Sequence, residues 1–300
     1  MRVLIQDYSS PDTTEPMYLC QSFNTVGIQS VLWNSDQSSA YDTFDSFLPN
    51  LFIAHFHKIT SDCIKYLSQN RHITMILNMT GAQQQHVEQL EGLIRESNIN
   101  VAFAFTSSPK EINKLSSSVV KIVDLPAAVD LFAATSEAVA PPYEVDHAVV
   151  SNYDARSVLS PKLKGTSHHF LSTSSELTDS LDITAPEINL QSLYSRYKNV
   201  IVSRNDQVIP QSLFSAVYKG AKVFYSGRYE TQASIVMEAL QNMYRGVKGC
   251  FDMNEDFDQQ KVREHTIEKH TCFNRTQKLC AKLEWTEIKN RFDEKIGELI

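Results

Sequence analysis

Two histidines separated by a single residue are the clearest candidates for proton transfer in the first half of the chain. His55 and His57 stand in the segment AHFHK, after an apolar run, and Asp7 ends an earlier segment, RVLIQD. Residues at strand spacing point to the same side, and histidine is the usual base near neutral pH. We predict a general base among His55, His57 and Asp7. Asn78 and Thr80 follow another apolar run. The alternative is that one histidine has a structural role at a strand end and the other lies on the surface, while Asp7 caps a helix or belongs to a loop.

A second polar group surrounds a proline in the segment RNDQVIPQSL. A strand-like run ends there at Arg204, and a helical pattern begins at Pro210. Proline suits the first helical position, and the N–H groups after it lack partners inside the helix, so this end attracts phosphate or carboxylate. The predicted anion-binding residues are Arg204, Asn205, Gln207, Gln211, Ser212 and Leu213. Ordinary helix capping is the alternative.

The elements that must position these residues alternate along the first half. We predict strands at 2–7, 28–34, 50–56, 72–79 and 100–105, and helices at 15–27, 61–69 and 83–97. Strands that alternate with helices indicate βαβ units and a parallel sheet. The Ser- and Asp-rich stretch 35–46 is predicted as a loop.

A second alternating region follows a proline-containing stretch, 124–165, which we predict to be a linker with a short strand at 145–150. The expected strands are 168–174, 199–204 and 221–227, and the expected helices are 188–198, 210–219, 230–244 and a last stretch from 257 that breaks near Glu284. Gly220 should end the helix 210–219 in the left-handed conformation.

These patterns predict an α/β protein of two Rossmann-like domains that face each other across a cleft. The first domain is expected at 1–150, the second at 151–283, and a C-terminal helix at 284–300 should pack back on the first. Ligands of parallel sheets bind beyond the carboxyl ends of the strands. The predicted base and anion sites would then both line the cleft.

Composition narrows the classes of protein. The formal net charge is -7, whereas proteins whose main partner is duplex DNA usually carry a basic surface. No run of eighteen apolar residues is present, and no signal peptide precedes the first strand, so we expect a cytoplasmic protein. The five cysteines have no metal-ligand spacing, which argues for free thiols and against a zinc site.

Two segments of the second half resemble a known family. VIPQSLFSAVYKGAKVFY, at 208–225, resembles the part of GT-B glycosyltransferases in which a helix bearing the pattern fEAxaxG precedes a strand. REHTIEKHTCFNRTQKL, at 263–279, is similar to the eHTyxhRaeqll ending of the CgeB-like subgroup, where His270, Thr271 and Arg275 match. Five residues apart, His270 and Arg275 do not share a helix face, and we expect structural roles for both.

The segments DLPAAVD and YEVDHAVVSNYDARS resemble the crossing between the domains in that subgroup, so the likeness covers most of residues 120–280. It implies an acceptor on the first domain and a nucleotide-sugar on the second. The implied reaction is metal-independent transfer of a sugar to a hydroxyl of a glycan, a small molecule or a modified DNA base. A UDP-sugar is the expected co-substrate, and no other cofactor is expected.

One residue departs from the family pattern. Ser215 stands where the family has an acid that usually holds the ribose hydroxyls, so it joins the predicted nucleotide-binding residues without the charge of that acid. A glycosyltransferase is the function that we predict, and two alternatives stay open. The first, which the missing acid favours, is a catalytically inactive GT-B-fold protein that binds or scaffolds, and the second is a phage-type glycosyltransferase of DNA bases.

Overall fold

The computed structural model divides the chain into two compact units. The first comprises Met1–Ser9, Glu15–Pro126 and Arg275–Lys295, and the second comprises Ser10–Thr14, Ala127–Asn274 and Ile296–Ile300. The structure describes residues 1–9, 13–107, 115–125, 127–132, 144–151, 154–161, 163–172, 182–184, 190, 193–204, 211–227 and 259–299.

A six-stranded parallel sheet forms the centre of the first unit. Its strands are β1 (Arg2–Gln6), β2 (Gln29–Trp33), β3 (Leu51–His55), β4 (Thr74–Asn78), β5 (Val101–Thr106) and β6 (Ile122–Asp124). Their order is β2-β1-β3-β4-β5-β6, and every pair is parallel. The apolar runs of β1 and β3 are buried, as expected for a sheet covered on both faces. The order reverses between β1 and β3, where open α/β sheets bind ligands.

Four helices connect these strands: α1 (Glu15–Thr25), α2 (Ala40–Phe47), α3 (Ser61–Gln69) and α4 (Gln84–Ser97). The predicted loop at 35–46 is wrong, because most of it belongs to α2. Ser39 caps that helix through a hydrogen bond from Asp42 N–H, and Phe44 packs on Phe52 of β3 with ring centroids 5.0 Å apart. The burial of Phe44 outweighs the turn-forming composition around it.

The second unit contains a five-stranded parallel sheet. Its strands are β7 (Val145–Ser151), β8 (His168–Ser172), β9 (Ile183–Thr184), β10 (Tyr197–Arg204) and β11 (Lys222–Gly227), in the order β11-β10-β7-β8-β9. The order reverses between β7 and β10, which are paired in register at Ser151 and Ser203. The short strand predicted at 145–150 is confirmed as β7, but it lies in the middle of this sheet and not in a linker between domains.

Short helical segments lie between the strands of the second unit. They include α5 (Arg156–Leu159), a 3₁₀ turn at Tyr194–Arg196 and α6 (Gln211–Tyr218). The helix predicted at 188–198 is wrong at its end, because Tyr197 already pairs with Val145 as a strand residue. The predicted cap of α6 is confirmed: Gly220 has φ +83°, and Ala221 N–H donates to Ala216 O at 3.1 Å. The helix predicted at 230–244 lies outside the described residues.

The C-terminal region forms three helices, α7 (Gln259–Lys269), α8 (Cys272–Lys282) and α9 (Thr286–Gly297). The predicted break near Glu284 is confirmed, since this residue has φ 60°. A second break, at Thr271, was not predicted: Thr271 caps α8 by accepting from Asn274 N–H, and Asn274 accepts in return from Thr271 N–H at 2.7 Å. Phe292 of α9 packs on Phe23 of α1 within the first unit.

The units do not follow the predicted boundary at residue 150. Because β7 pairs with β8 and β10, it belongs to the second unit. That unit already includes the chain from Ala127, and Arg275–Lys295 belongs to the first unit. Among the described residues, no helix is both long and apolar enough to cross a membrane.

Candidate functional site

Two of the predicted base residues lie where the order of the first sheet reverses. Asp7 follows β1, and His55 is the last residue of β3, which pairs directly with β1. One carboxylate oxygen of Asp7 is already engaged, because Oδ1 accepts a hydrogen bond from Ser9 N–H at 2.9 Å. The strand order therefore brings Asp7 and His55 to one edge of the sheet, at the position where such sheets hold ligands.

His55 is tied into the backbone that follows it. Its Nδ1 accepts from His57 N–H at 3.3 Å and so caps the 3₁₀ turn Phe56–Lys58. Burial, with smaller contributions from His57 and Lys58, lowers the pKa of His55 to about 4, although a hydrogen bond with the backbone of Thr80 opposes this shift. A neutral His55 with Nδ1 as acceptor carries its proton on Nε2. It is thus a hydrogen-bond donor at neutral pH and a weak base.

His57 is the more accessible of the two histidines. Its side chain is exposed, and partial burial together with His86 lowers its pKa. The ring of His57 lies 3.6 Å from that of Phe56, 5.3 Å from that of His86 and 5.6 Å from that of His55, centroid to centroid. No hydrogen bond fixes a tautomer of His57 among the described residues, so a neutral His57 can present an acceptor nitrogen to solvent.

A buried ion pair lies in the same unit and involves residues that the sequence did not single out as a pair. Arg275 of α8 and Glu15 of α1 are almost fully buried, and Arg275 Nε donates to Glu15 Oε1 at 2.8 Å. Arg275 also donates to Leu125 O and to Ser107 Oγ, the latter at 3.2 Å. Asn78, the last residue of β4, donates to Glu15 Oε2 at 3.0 Å. These contacts join α1, α8 and the carboxyl ends of three strands.

The environment of this pair keeps Arg275 and the neighbouring Tyr8 in fixed protonation states. Burial acts to lower the pKa of Arg275, but Glu15 and nearby tyrosines raise it more, so the net direction is upward and Arg275 stays charged. Burial, followed by Glu15, raises the pKa of Tyr8 well above its ordinary value. Tyr8 therefore remains a neutral phenol, and its ring lies 5.4 Å from that of His55.

The order of the second sheet reverses next to the predicted anion site. Arg204 is the last residue of β10, one of the two strands at the reversal, and α6 begins at Gln211. Asn205, Gln207 and Pro210 lie outside the described residues, as does the side chain of Arg204. The fold thus carries the predicted segment to the carboxyl edge of the sheet, where a helix N-terminus favours anions.

The first residues of α6 are buried rather than open to solvent. Gln211, Ser212 and Leu213 are at most 5% exposed. Gln211 Nε2 donates to Thr14 Oγ1 at 3.0 Å, Gln211 Oε1 accepts from Thr14 N–H, and Thr14 Oγ1 donates to Asp130 Oδ2 at 2.7 Å, all within the second unit. The amide of Gln211 is therefore engaged with protein groups.

Ser215, the residue that departs from the family pattern, is also buried. It is 1% exposed, and its hydroxyl has no hydrogen-bond partner among the described residues. Phe214, its neighbour in α6, stacks on His270 with centroids 4.7 Å apart and an interplanar angle of 22°. His270 and Arg275 thus contact different elements, in keeping with the expectation that they do not share a helix face.

Within the described ranges, no group of three or more His, Cys, Asp or Glu side chains is placed to hold a metal ion. The described cysteines are free thiols. Burial raises the pKa of Cys280 to about 12, so this thiol is protonated at neutral pH.

Comparisons with known proteins give similarity of fold without similarity of sequence. No protein-family model matches the chain, and neither does any curated protein sequence. The glycosyltransferase SnogD from Streptomyces nogalater is 12% identical with a TM-score of 0.50, over 94% of this chain and 99% of that one. SsfS6 from Streptomyces sp. SF2575, solved with thymidine diphosphate, is 9% identical with a TM-score of 0.53, over 93% and 99%.

Sucrose-phosphate synthase from Thermosynechococcus elongatus gives the same TM-score, 0.53, at 8% identity over 100% of this chain and 99% of that one. At these identities the likeness concerns the fold and not the activity. The CgeB-like subgroup is not confirmed. The two parallel sheets, each covered by helices, and the likeness to these enzymes show that the chain has an α/β fold of two Rossmann-like units, of the GT-B type.

Proposed function

We propose that the chain is a glycosyltransferase that moves a sugar from a nucleotide-sugar to a hydroxyl acceptor without a metal ion. The observation that carries this proposal is the reversal of strand order that occurs in each of the two sheets. In each unit the strand order reverses where the sequence alone predicted a functional group: Asp7 and His55 at β1 and β3, and Arg204 at β10. The fold likeness to glycosyltransferases supports the same function.

The donor would bind at the carboxyl edge of the second sheet. The leaving diphosphate develops negative charge as the bond to the sugar breaks, and oriented N–H groups and cations stabilise such charge. The N-terminus of α6 supplies the N–H groups, and Arg204 at the end of β10 supplies the cation. A UDP-sugar is the first donor to test, and a TDP-sugar the second, since a similar fold was solved with thymidine diphosphate.

The acceptor would be activated at the carboxyl edge of the first sheet. Among the candidate bases, His57 fits this role best, because Nδ1 of His55 and Oδ1 of Asp7 already accept hydrogen bonds. His57 takes the proton of the acceptor hydroxyl, and the acceptor oxygen forms the new bond to the anomeric carbon. The bond from that carbon to the diphosphate breaks, and the diphosphate leaves with the electron pair.

The decisive experiment separates donor binding from transfer. Thermal unfolding of the full chain is followed with UDP-, TDP-, GDP-, ADP- and CMP-sugars, since a ligand at 100 times its Kd stabilises by about 2.7 kcal/mol. A stabilising donor is then incubated with mixed hydroxyl acceptors, with and without a chelator, and release of the nucleoside diphosphate is measured. Release that survives the chelator supports the proposal, and absence of stabilisation by every donor contradicts it.

A second candidate function is a GT-B-fold protein that binds a nucleotide but does not transfer the sugar. The burial of Ser215 favours it, because the acid of the family pattern is replaced by a serine whose hydroxyl meets no hydrogen-bond partner among the residues described. The engagement of Gln211 with Thr14 points the same way. Stabilisation by a nucleotide-sugar without any release of diphosphate would select this candidate.

A further inference from the structure

An open groove lies between α3 and α4 on the surface of the first unit, and the proposed reaction makes no use of it. Its volume is about 590 Å³, within the roughly 300–1,000 Å³ that small-molecule sites have in proteins. The lining residues of each helix follow helical spacing: Ile64, Lys65 and Ser68 on α3, and Leu93, Glu96 and Ser97 on α4. One face of each helix therefore forms a wall of the groove.

The groove offers an apolar surface to a ligand. Leu93 of α4 is 41% exposed, and Ile64 of α3, which is 9% exposed, lines the opposite wall. A ligand that covers these two side chains removes apolar surface from water, and this favours binding. The groove therefore suits a molecule with an apolar part.

Two cations line the same groove. Lys65 belongs to α3 and Arg71 follows that helix. Both are exposed, and neither forms an ion pair with any described residue. The lining contains one carboxylate, that of Glu96, and three serines that can donate hydroxyl hydrogen bonds. The lining is therefore net positive in a chain whose formal net charge is -7, and this favours an anion at the groove.

The guanidinium of Arg71 is held in place by the end of α4. Asn98 follows this helix with φ 51°, and its N–H donates to Ile94 O at 2.8 Å. In the amide orientation that satisfies both side chains, Asn98 Oδ1 accepts from Nη1 and Nη2 of Arg71, at 2.9 and 3.0 Å. A guanidinium has more N–H donors than these two bonds use, so Arg71 can also bind an oxyanion. Because the side chain is already ordered, such binding costs little conformational entropy.

From this lining we infer that the groove binds a small organic anion. The carboxylate or phosphate of the ligand contacts the two cations, and its apolar body covers Ile64 and Leu93. Arg71 precedes β4 and Asn98 precedes β5, so the anionic end lies at the amino edge of the first sheet, opposite to the edge that holds the candidate bases. The inference goes beyond the proposed function and does not depend on it.

The test measures binding of four probes to the full chain by calorimetric titration: phenylbutyrate, phenyl phosphate, the neutral phenylbutanol, and inorganic phosphate. At least one of the two aromatic anions should bind at least about tenfold more tightly than the last two probes, and the tighter one identifies the anionic group. Arg71→Gln, which removes the charge, and Leu93→Asn, which removes the apolar contact, should each weaken this probe about three- to tenfold. Glu96→Gln should tighten it or leave it unchanged, because a repelling charge is lost, and a weaker affinity would contradict the inference.

The matched control is Arg95→Gln, which removes a cation from the same helix, α4. Arg95 contacts Glu91 and Ser118 and is not part of the lining. Its replacement should leave binding of the aromatic anion unchanged, and thermal unfolding confirms that each variant is folded. The inference is wrong if neither aromatic anion binds better than phenylbutanol, or if Arg71→Gln and Leu93→Asn bind as tightly as Arg95→Gln does. Stabilisation by nucleotide-sugars is measured separately and decides on the proposed function alone.

Discussion

Arg275 and Glu15 stand 260 residues apart in the chain and form a buried ion pair in the first unit. The pair fastens the returning C-terminal segment to the start of α1. Asn78 and Ser107 add hydrogen bonds from the ends of β4 and β5, so the charged groups are compensated. Arg275, which belongs to the C-terminal segment that resembles the family, thus contacts the carboxyl edge of the first sheet.

Removal of one partner of this pair should destabilise the first unit strongly. We expect Arg275→Met to lower the free energy of unfolding by about 3–5 kcal/mol, because it leaves the carboxylate of Glu15 buried and unpaired. Lys289→Met, which breaks the exposed pair with Asp293 in α9, should cost at most about 1 kcal/mol. Denaturant unfolding of both variants checks this, and equal losses would contradict the assigned role of the buried pair.

Replacement of His57 should remove turnover while nucleotide binding survives. We expect His57→Ala to lower kcat about 100-fold or more, the usual contribution of a general base, and His55→Asn to lower it less. A base works in its deprotonated form, and burial together with His86 lowers the pKa of His57, so kcat/KM of the wild type should fall on acidification with a midpoint below that of an ordinary histidine. Full activity of His57→Ala, with diphosphate release as readout, would exclude His57 as the base.

The histidine at the end of β3 should make stability depend on pH. The pKa of His55 is about 4 in the folded state and 6.5 in the absence of the folded structure. Between these two pH values, the unfolded chain therefore binds more protons than the folded chain does. Stability is then lost as the pH falls from about 6.5 towards 4, and no more is lost from this group below that range. His55→Asn keeps an acceptor for His57 N–H. It should lose less stability between pH 7 and pH 4, followed by thermal melting, than the control His72→Asn, which replaces an exposed histidine.

Local sequence patterns predicted most strands of both sheets, because buried parallel strands read as short apolar runs. Composition misled where packing decided: α2 was hidden by its Ser and Asp residues, although Ala40, Phe44 and Phe47 have helical spacing. The strand at β7 was predicted, but the prolines around it suggested a linker, and its place in the middle of the second sheet was missed. Partners that meet only in the fold, such as Arg275 and Glu15, leave no local signal at all.

The candidate sites were predictable to the extent that they depend on strand ends. Parallel strands present their carboxyl ends at one edge, so Asp7, His55 and Arg204 were found from the ends of apolar runs alone. His86, whose ring lies 5.3 Å from that of His57, was missed because it belongs to the first turn of α4, where a lone histidine gives no pattern. The burial of Ser215 was missed because a single serine in a helical pattern does not indicate whether its position is buried.

The positive charge of Arg204 at the end of β10 should strengthen binding of the nucleotide donor, whereas the charge of Arg196, just before the same strand, should not affect it. We expect Arg204→Ala to weaken binding of the stabilising nucleotide by about 1.5–3 kcal/mol, the scale of a hydrogen bond to a charged group. Arg196, just before β10 and paired with Glu144 on the surface, is the matched control. Calorimetric titration of both variants checks this. Equal affinities for Arg204→Ala and Arg196→Ala would place the diphosphate elsewhere.

Ser215 offers opposite outcomes for two substitutions at one position. Its hydroxyl is buried and has no hydrogen-bond partner in the part of the chain that the structure describes, and residues Gln211–Val217 of the same helix are all buried. A buried unsatisfied hydroxyl costs about 1–3 kcal/mol, so Ser215→Ala should leave stability unchanged or raise it. Ser215→Glu restores the acid of the family pattern but places a charge in this environment, and we expect a loss of about 3 kcal/mol or more. Thermal unfolding without ligand measures both effects. Ser215→Glu that folds normally and binds a nucleotide-sugar more tightly would show that this side of α6 opens to the ribose after all.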